Sequence, residues 1–230
     1  MTAGVFLLIR FNYLLVRFRL TKALLGVGLI TMFLAGAAAL LETDIKKIIA
    51  LSTLRQLGVI IIILGAQEPN LAFFHLLSHA YFKAILFICA GAIIHNMKDF
   101  QDIRRIGRVS KTMPTTYRVI IVANLRLCGL PFLRGFYSKD LILETIIMIR
   151  YGGFIFFLSI LATFFTVAYS CRISFLLGGL DNLKEGIGLL SDSDFFMSLG
   201  AIVLLPFSIL GGINISWRIF SSTPTIFLPF

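Results

Sequence analysis

Residues 22–41 read KALLGVGLITMFLAGAAALL, an apolar run with no charge after its first residue. A helix rises ~1.5 Å per residue, so a run of this length spans the ~30 Å hydrocarbon core of a bilayer. Comparable runs occupy 48–64, 71–95 and 152–177, and none shows the period-two alternation of a membrane barrel strand. The chain of 230 residues is 58% hydrophobic with 23 Phe, and its mean hydropathy is +0.96. That is more apolar surface than a soluble domain of this size could cover. The reading is therefore an all-α, polytopic transmembrane helical bundle forming a single transmembrane domain over 1–230.

Spans are expected near 3–16, 22–41, 48–64, 71–95, 113–149, 152–177 and 195–213. The fifth should be broken near 129–135, because GLPFLRG places Gly129, Pro131 and Gly135 close together and proline both removes a backbone donor and clashes with the preceding turn. Unwound backbone at membrane depth is tolerated only against protein or a water-filled cavity, which makes the discontinuous helix a functional hint. Pro206 is placed to kink the last span. The first segment, interrupted by Arg10 and Asn12, reads as a helix cut at its start, and no removable targeting pattern opens the chain.

The formal charge of +10 does not point to nucleic acid, since many arginines lie inside apolar runs and form no solvated stripe. Between spans four and five, Lys98, Arg104, Arg105, Arg108 and Lys111 outnumber Asp99 and Asp102, marking the non-translocated side. Cys89, Cys128 and Cys171 lack CxxC spacing and read as small core residues. Asp44 stands where it could cap the helix that follows.

Chemistry concentrates in the fourth span. His75, His79 and Lys83 recur every fourth residue, so they climb one helical face with ~6 Å of rise per step. Ionisable groups at membrane depth cost ~2.5–3.5 kcal/mol on insertion scales and usually face the bundle interior, where they mark ion or proton pathways. Histidine can take and give a proton at physiological pH. The bland alternative is a pair of histidines hydrogen-bonded to neighbouring helices and a lysine that snorkels; Lys83 lies near mid-span, where snorkelling is hardest. Zinc lacks a third ligand at a recognisable spacing, so no metal is expected. After the break, Lys139 adjoins Asp140 and Glu144, which share a face near the start of a second half-helix, where the dipole favours acids. The same trio also fits an ordinary boundary charge cluster. His95 closes the fourth span at the interface.

The strings DIKKIIALST, LAFFHLLSHAYFKAILFICAGAIIHNM, QDIRRIG, KTMP and GLPFLRGFYSKD closely resemble the chain 5 subunits of mitochondrial NADH:ubiquinone oxidoreductase, respiratory complex I, from about Thr2 to about Phe175. The same fold is shared by antiporter-like subunits of Mrp sodium/proton exchangers. The resemblance implies a multi-pass subunit of the mitochondrial inner membrane that moves protons along a central axis, driven by quinone reduction in other subunits. It implies that His75, His79 and Lys83 belong to that axis and that Lys139, with Asp140 beside it, serves an exit half-channel. It also implies an enzyme only in the sense of a subunit of the proton-translocating reductase. NADH, flavin, iron–sulfur clusters and ubiquinone would bind elsewhere, leaving no cofactor in this chain, and its partners would be the other complex I subunits and the lipid bilayer. Relative to that family the chain is expected to be truncated at both ends. A sodium/proton exchanger subunit and a non-functional truncated product remain as alternatives.

One pattern departs from the resemblance. Arg55, Arg126 and Arg134 stand where the family usually has serine, and Arg108, Arg118, Arg150 and Arg218 look similarly placed. Invertebrate mitochondria read AGA and AGG as serine, AUA as methionine and UGA as tryptophan. Mid-span arginines with 6 Met and one Trp are what a standard-code translation of such a gene would show.

Overall fold

The computed structural model of the chain describes residues 2–97, 100–104, 106, 109–130, 134–148, 153–179 and 199–206. These are largely helical, without strands; the one β-bridge among them is an isolated pairing of Asp44 with Asp102. The helices are α1 (Thr2–Arg10), α2 (Asn12–Arg17), α3 (Thr21–Leu41), α4 (Ile45–Gly65), α5 (Pro69–Asn96), α6 (Val109–Thr112), α7 (Pro114–Cys128), α8 (Arg134–Met148) and α9 (Gly153–Gly178). Residues 199–206 are also helical. Four of these helices, α3, α4, α5 and the Ile155–Gly178 part of α9, are long and apolar enough to cross a membrane.

The sequence reading needs correction at the start, where the run expected as one span near 3–16 is divided at Phe11 into α1 and α2. The run near 113–149 is two helices of 15 residues each, about 22 Å apiece and too short to cross a bilayer singly. Of the expected 195–213 span, only 199–206 lies within the described residues, so the consequence of Pro206 lies outside them.

Local chemistry sets several boundaries. Pro69 and Pro114 occupy the first turns of α5 and α7, where the missing N–H would have had no helical partner. The end of α7 is a Schellman turn: Gly129 adopts φ 83°, its N–H donates to the Arg126 carbonyl at 3.1 Å, and Leu130 N–H donates to the Leu125 carbonyl at 3.3 Å. Asp44 does occupy the residue before α4, but its carboxylate makes no cap; it pairs with Lys47 at 3.0 Å instead.

Helices α3 and α4 form the most intimate pair, and glycine permits it. A Cβ on Gly28 would lie 2.8 Å from an Ile62 side-chain carbon, one on Gly58 would lie 2.9 Å from the Thr31 hydroxyl, and one on Gly65 would lie 2.5 Å from Leu25. With no hydrophobic drive between helices in lipid, such close backbone approach supplies the van der Waals contact that holds the pair together.

Two apolar clusters fill the bundle. One joins Ile48, Ile85, Ile93, Ile120, Leu127 and Tyr169; the other joins Leu25, Met32, Ile63, Phe74, Ile142 and Ala162. Each central element crosses from one cluster to the other, and its polar residues fall at the crossing: Ser52, Arg55 and Gln56 on α4, His75, Ser78 and His79 on α5, the α7–α8 break, and Thr166 on α9. These buried polar groups thus lie between the two apolar clusters. The cysteines do not all share this interior. Cys89 is buried and Cys128 half-buried, but Cys171 is exposed on α9, correcting its assignment to the core.

Candidate functional site

The ladder on α5 faces inward. His75, His79 and Lys83 are 4%, 1% and 4% exposed, which places them against other helices and not against the bundle's outer face. Lys83 Nζ reaches across to α4, donating to the Ser52 hydroxyl and, at 3.3 Å, to the Ile49 carbonyl. That carbonyl is also the acceptor of the Ser52 hydroxyl at 2.7 Å, so lysine and serine share one acceptor. The lysine therefore does not snorkel; its charge is received by polar atoms at mid-bundle.

His75 lies toward the other end of the ladder. Its Nδ1 is 3.1 Å from the Ser138 hydroxyl on α8, and its Nε2 is 3.3 Å from Gln56 Oε1 on α4. Between it and Lys83, His79 stacks at 6.5 Å from the His75 ring and meets Phe82 edge-on at 5.3 Å. Neither nitrogen of His79 has a hydrogen-bond partner among the described residues, although both are buried.

The helix break positions the second lysine. Lys139, half-buried on the first turns of α8, donates to the Cys128 carbonyl at 3.3 Å and to the Thr166 hydroxyl of α9 at 3.2 Å. Cys128 is the last residue of α7, and because the helix stops there its carbonyl has no helical donor of its own. The lysine's alkyl chain passes over Gly129, where an added Cβ would sit 3.3 Å from Cδ. At Gly135 the two half-helices nearly touch: a Cβ there would come within 2.0 Å of the Arg126 carbonyl. Gly135 is thus required sterically and Gly129 is favoured by its left-handed φ of 83°, while Pro131 lies outside the described residues.

Arg55 is buried beside Lys139, in the same cavity. It is 1% exposed, its Nη2 donates to the Ala162 carbonyl at 2.6 Å, and its guanidinium adjoins the buried Tyr169 hydroxyl. Its Nε and Nη1 have no hydrogen-bond partner, and no carboxylate pairs with it, among the described residues. Arg55, Gln56, His75, Lys139, Ser159 and Thr163 line one cavity whose remaining wall is apolar. Arg126 is likewise buried and donates to the Leu205 carbonyl at 3.4 Å, whereas Arg118 is exposed. Arg108, Arg150 and Arg218 lie outside the described residues, as does the side chain of Arg134.

The supporting charges do not join this layer. Asp140 and Glu144 are half-exposed and make no hydrogen bond or ion pair among the described residues, and His95 is exposed at the end of α5. The residues that the sequence reading missed are the neutral ones: Ser52, Gln56, Ser78, Ser138, Thr166 and Tyr169. Hydroxyl and amide groups inside apolar helices are common, and only their meeting with ladder residues from other helices singles these out. Among the described residues, no group of three or more His, Cys, Asp or Glu could hold a metal ion.

Comparison with known proteins agrees with this architecture. The transmembrane family described as NADH:quinone oxidoreductase/Mrp antiporter matches residues 1–166. NADH-ubiquinone oxidoreductase chain 5 of Aedes aegypti is 50% identical over 229 residues, which is 100% of this chain and 40% of that protein. The chain 5 protein of the seal Phoca vitulina is 44% identical over 231 residues, covering 99% of this chain and 38% of its own. The chain therefore spans about two fifths of the length of the curated relatives it matches. Among solved structures, the membrane-bound sulfane sulfur reductase, an archaeal respiratory membrane complex, contains a chain that superposes with a TM-score of 0.79 at 25% identity, over 89% of this chain and 35% of that one. A multi-pass helical bundle, a discontinuous helix with a lysine at its break, a buried layer of ionisable side chains and these matches together place the chain in the NADH:quinone oxidoreductase/Mrp antiporter transmembrane family.

Proposed function

We propose that this chain is the part of a proton-translocating subunit of mitochondrial NADH:ubiquinone oxidoreductase that carries a mid-membrane relay, in the inner membrane and assembled with other subunits of that complex. The observation that carries the reading is the burial of His75, His79 and Lys83 along one face of α5, with Lys139 of α8 sharing a cavity with His75, in a polar region between two apolar clusters. The chain 5 name of the relatives supports the choice of complex.

In this reading the two lysines are the switching charges. Each sits on neutral acceptors: Lys83 on Ser52 and the Ile49 carbonyl, Lys139 on the Cys128 carbonyl and Thr166. Hydroxyls and carbonyls accept from an ammonium and leave a neutral amine intact, so neither protonation state is locked by a carboxylate. The histidines bridge the interval, His79 lying between His75 and Lys83 on the same face. Lys139 and His75 line one cavity, so charge moved at this lysine is felt at the imidazole, in a low-dielectric setting where such effects are strong. NADH, flavin, iron–sulfur clusters and ubiquinone are assigned to other subunits.

The test is made in the full-length subunit within the assembled complex, reconstituted in vesicles with a pH indicator. Lys83→Ala is expected to abolish or strongly reduce protons pumped per NADH oxidised; wild-type pumping in an assembled Lys83→Ala complex refutes the reading. Transport that depends on sodium and not on quinone turnover would instead favour the exchanger branch of the family.

A further inference from the structure

His75 differs from His79 in one respect that the relay alone does not require: both of its ring nitrogens are held. Gln56 Oε1 can only accept, so the 3.3 Å contact places a proton on Nε2. In the neutral ring Nδ1 is then the lone-pair nitrogen, and the Ser138 hydroxyl 3.1 Å away donates to it. The Ser138 hydroxyl has a second acceptor within reach, the Gly135 carbonyl at 3.4 Å one turn earlier in α8. Ser78 completes the cluster, its hydroxyl 2.8 Å from the His75 carbonyl and 3.5 Å from Ser138 Oγ.

Two arrangements follow, and both are complete. With His75 neutral, Ser138 donates to Nδ1. With His75 protonated, Nδ1–H donates to Ser138 Oγ, and the hydroxyl proton turns to the Gly135 carbonyl. The states differ by one proton at Nδ1 and a rotation of one O–H bond, and Gln56 accepts from Nε2–H in each. Ser138 is fully buried, so a ring nitrogen left without it would be an unsatisfied polar atom in a setting where that is costly.

We propose that Gln56 and Ser138 are positioning residues for His75: Gln56 selects the Nε2–H tautomer, and the Ser138 hydroxyl, turning between Nδ1 and the Gly135 carbonyl, keeps the ring satisfied in both protonation states. The proposal rests on the relay reading above. It also ties the ladder to the broken helix, because Ser138 immediately precedes Lys139 in α8: one residue contacts the α5 imidazole and the next reaches the α7 terminus. The charged or titratable groups facing His75 are Lys139 from α8, Arg55 from α4 and His79 from its own helix.

The experiment measures protons pumped per NADH oxidised across a pH series, normalised to assembled complex carrying the full-length subunit. Ser138→Ala is expected to lower pumping about tenfold and displace its pH profile by about one unit, the scale of the difference between the charge-assisted bond of the imidazolium and the neutral bond it replaces. Ser138→Thr, which keeps the hydroxyl, is expected to restore the wild-type profile. A wild-type yield and profile in Ser138→Ala overturns the proposal. So does equal loss in both variants with no displacement of the profile, which is the mark of a packing role. Should Ser138→Ala fail to assemble, Gln56→Met reads the other nitrogen: a displaced profile supports the clamp and an unchanged one refutes it. Lys139→Met separates the two levels. Full pumping there sinks the relay itself, whereas loss there beside wild-type behaviour in Ser138→Ala sinks only the clamp.

Discussion

The ammonium of Lys139 donates to the carbonyl of Cys128 across a gap in the helix, 3.3 Å from an acceptor that exists only because α7 ends there. A continuous helix would have spent that carbonyl on its own backbone. The break and the lysine are therefore one device. Lys139→Met in the full-length subunit is expected to leave the Cys128 carbonyl and Thr166 hydroxyl without their donor and to reduce pumping at least tenfold, read as protons per NADH oxidised.

Gly135→Ala should be among the most damaging single-methyl changes in the chain. The added Cβ would fall 2.0 Å from the Arg126 carbonyl, so the half-helices must separate. A cost of about 1–3 kcal/mol is expected, checked by thermal inactivation of the assembled complex. Gly91→Ala, where nothing lies within 4 Å, serves as the control and should be nearly neutral or slightly stabilising.

Gly58→Val tests the α3–α4 contact. A side chain there meets the Thr31 hydroxyl at 2.9 Å and the Met32 backbone at 3.0 Å, so the pair must move apart. Reduced assembly of the subunit, read on native gels, is the expected result; wild-type assembly would show that this contact is not what holds the two helices together.

Arg55→Ser is expected to stabilise. The guanidinium is buried in the cavity that Lys139 also lines, with two nitrogens unbonded and no carboxylate paired to it among the described residues. Replacing it removes up to about 2.5–3.5 kcal/mol of insertion cost, measurable as a more favourable apparent insertion energy for the α4 segment in a translocon assay. The coding DNA bears on the same residue: an AGA or AGG codon at position 55 agrees with a serine in the working protein, and a CGN codon refutes that reading.

The length and hydropathy of α3, α4, α5 and α9 are local quantities, and they alone determined the membrane class, because only a helix satisfies its own backbone in lipid. The four-residue spacing of His75, His79 and Lys83 likewise put them on one face, and Gly129 and Gly135 announced the interrupted helix. What no local pattern could decide was which way that face pointed and what it met. Gln56 and Ser138 lie 19 and 63 residues from the imidazole they hold, and Thr166 lies 27 from the lysine it receives. Asp140 and Glu144 looked as chemical as Lys139 in sequence, yet they sit half-exposed, since one residue of helical offset turns a side chain by about 100°. The tertiary structure chose among these by packing several helices together, so that the polar side chains between the two apolar clusters take one another and backbone carbonyls as partners.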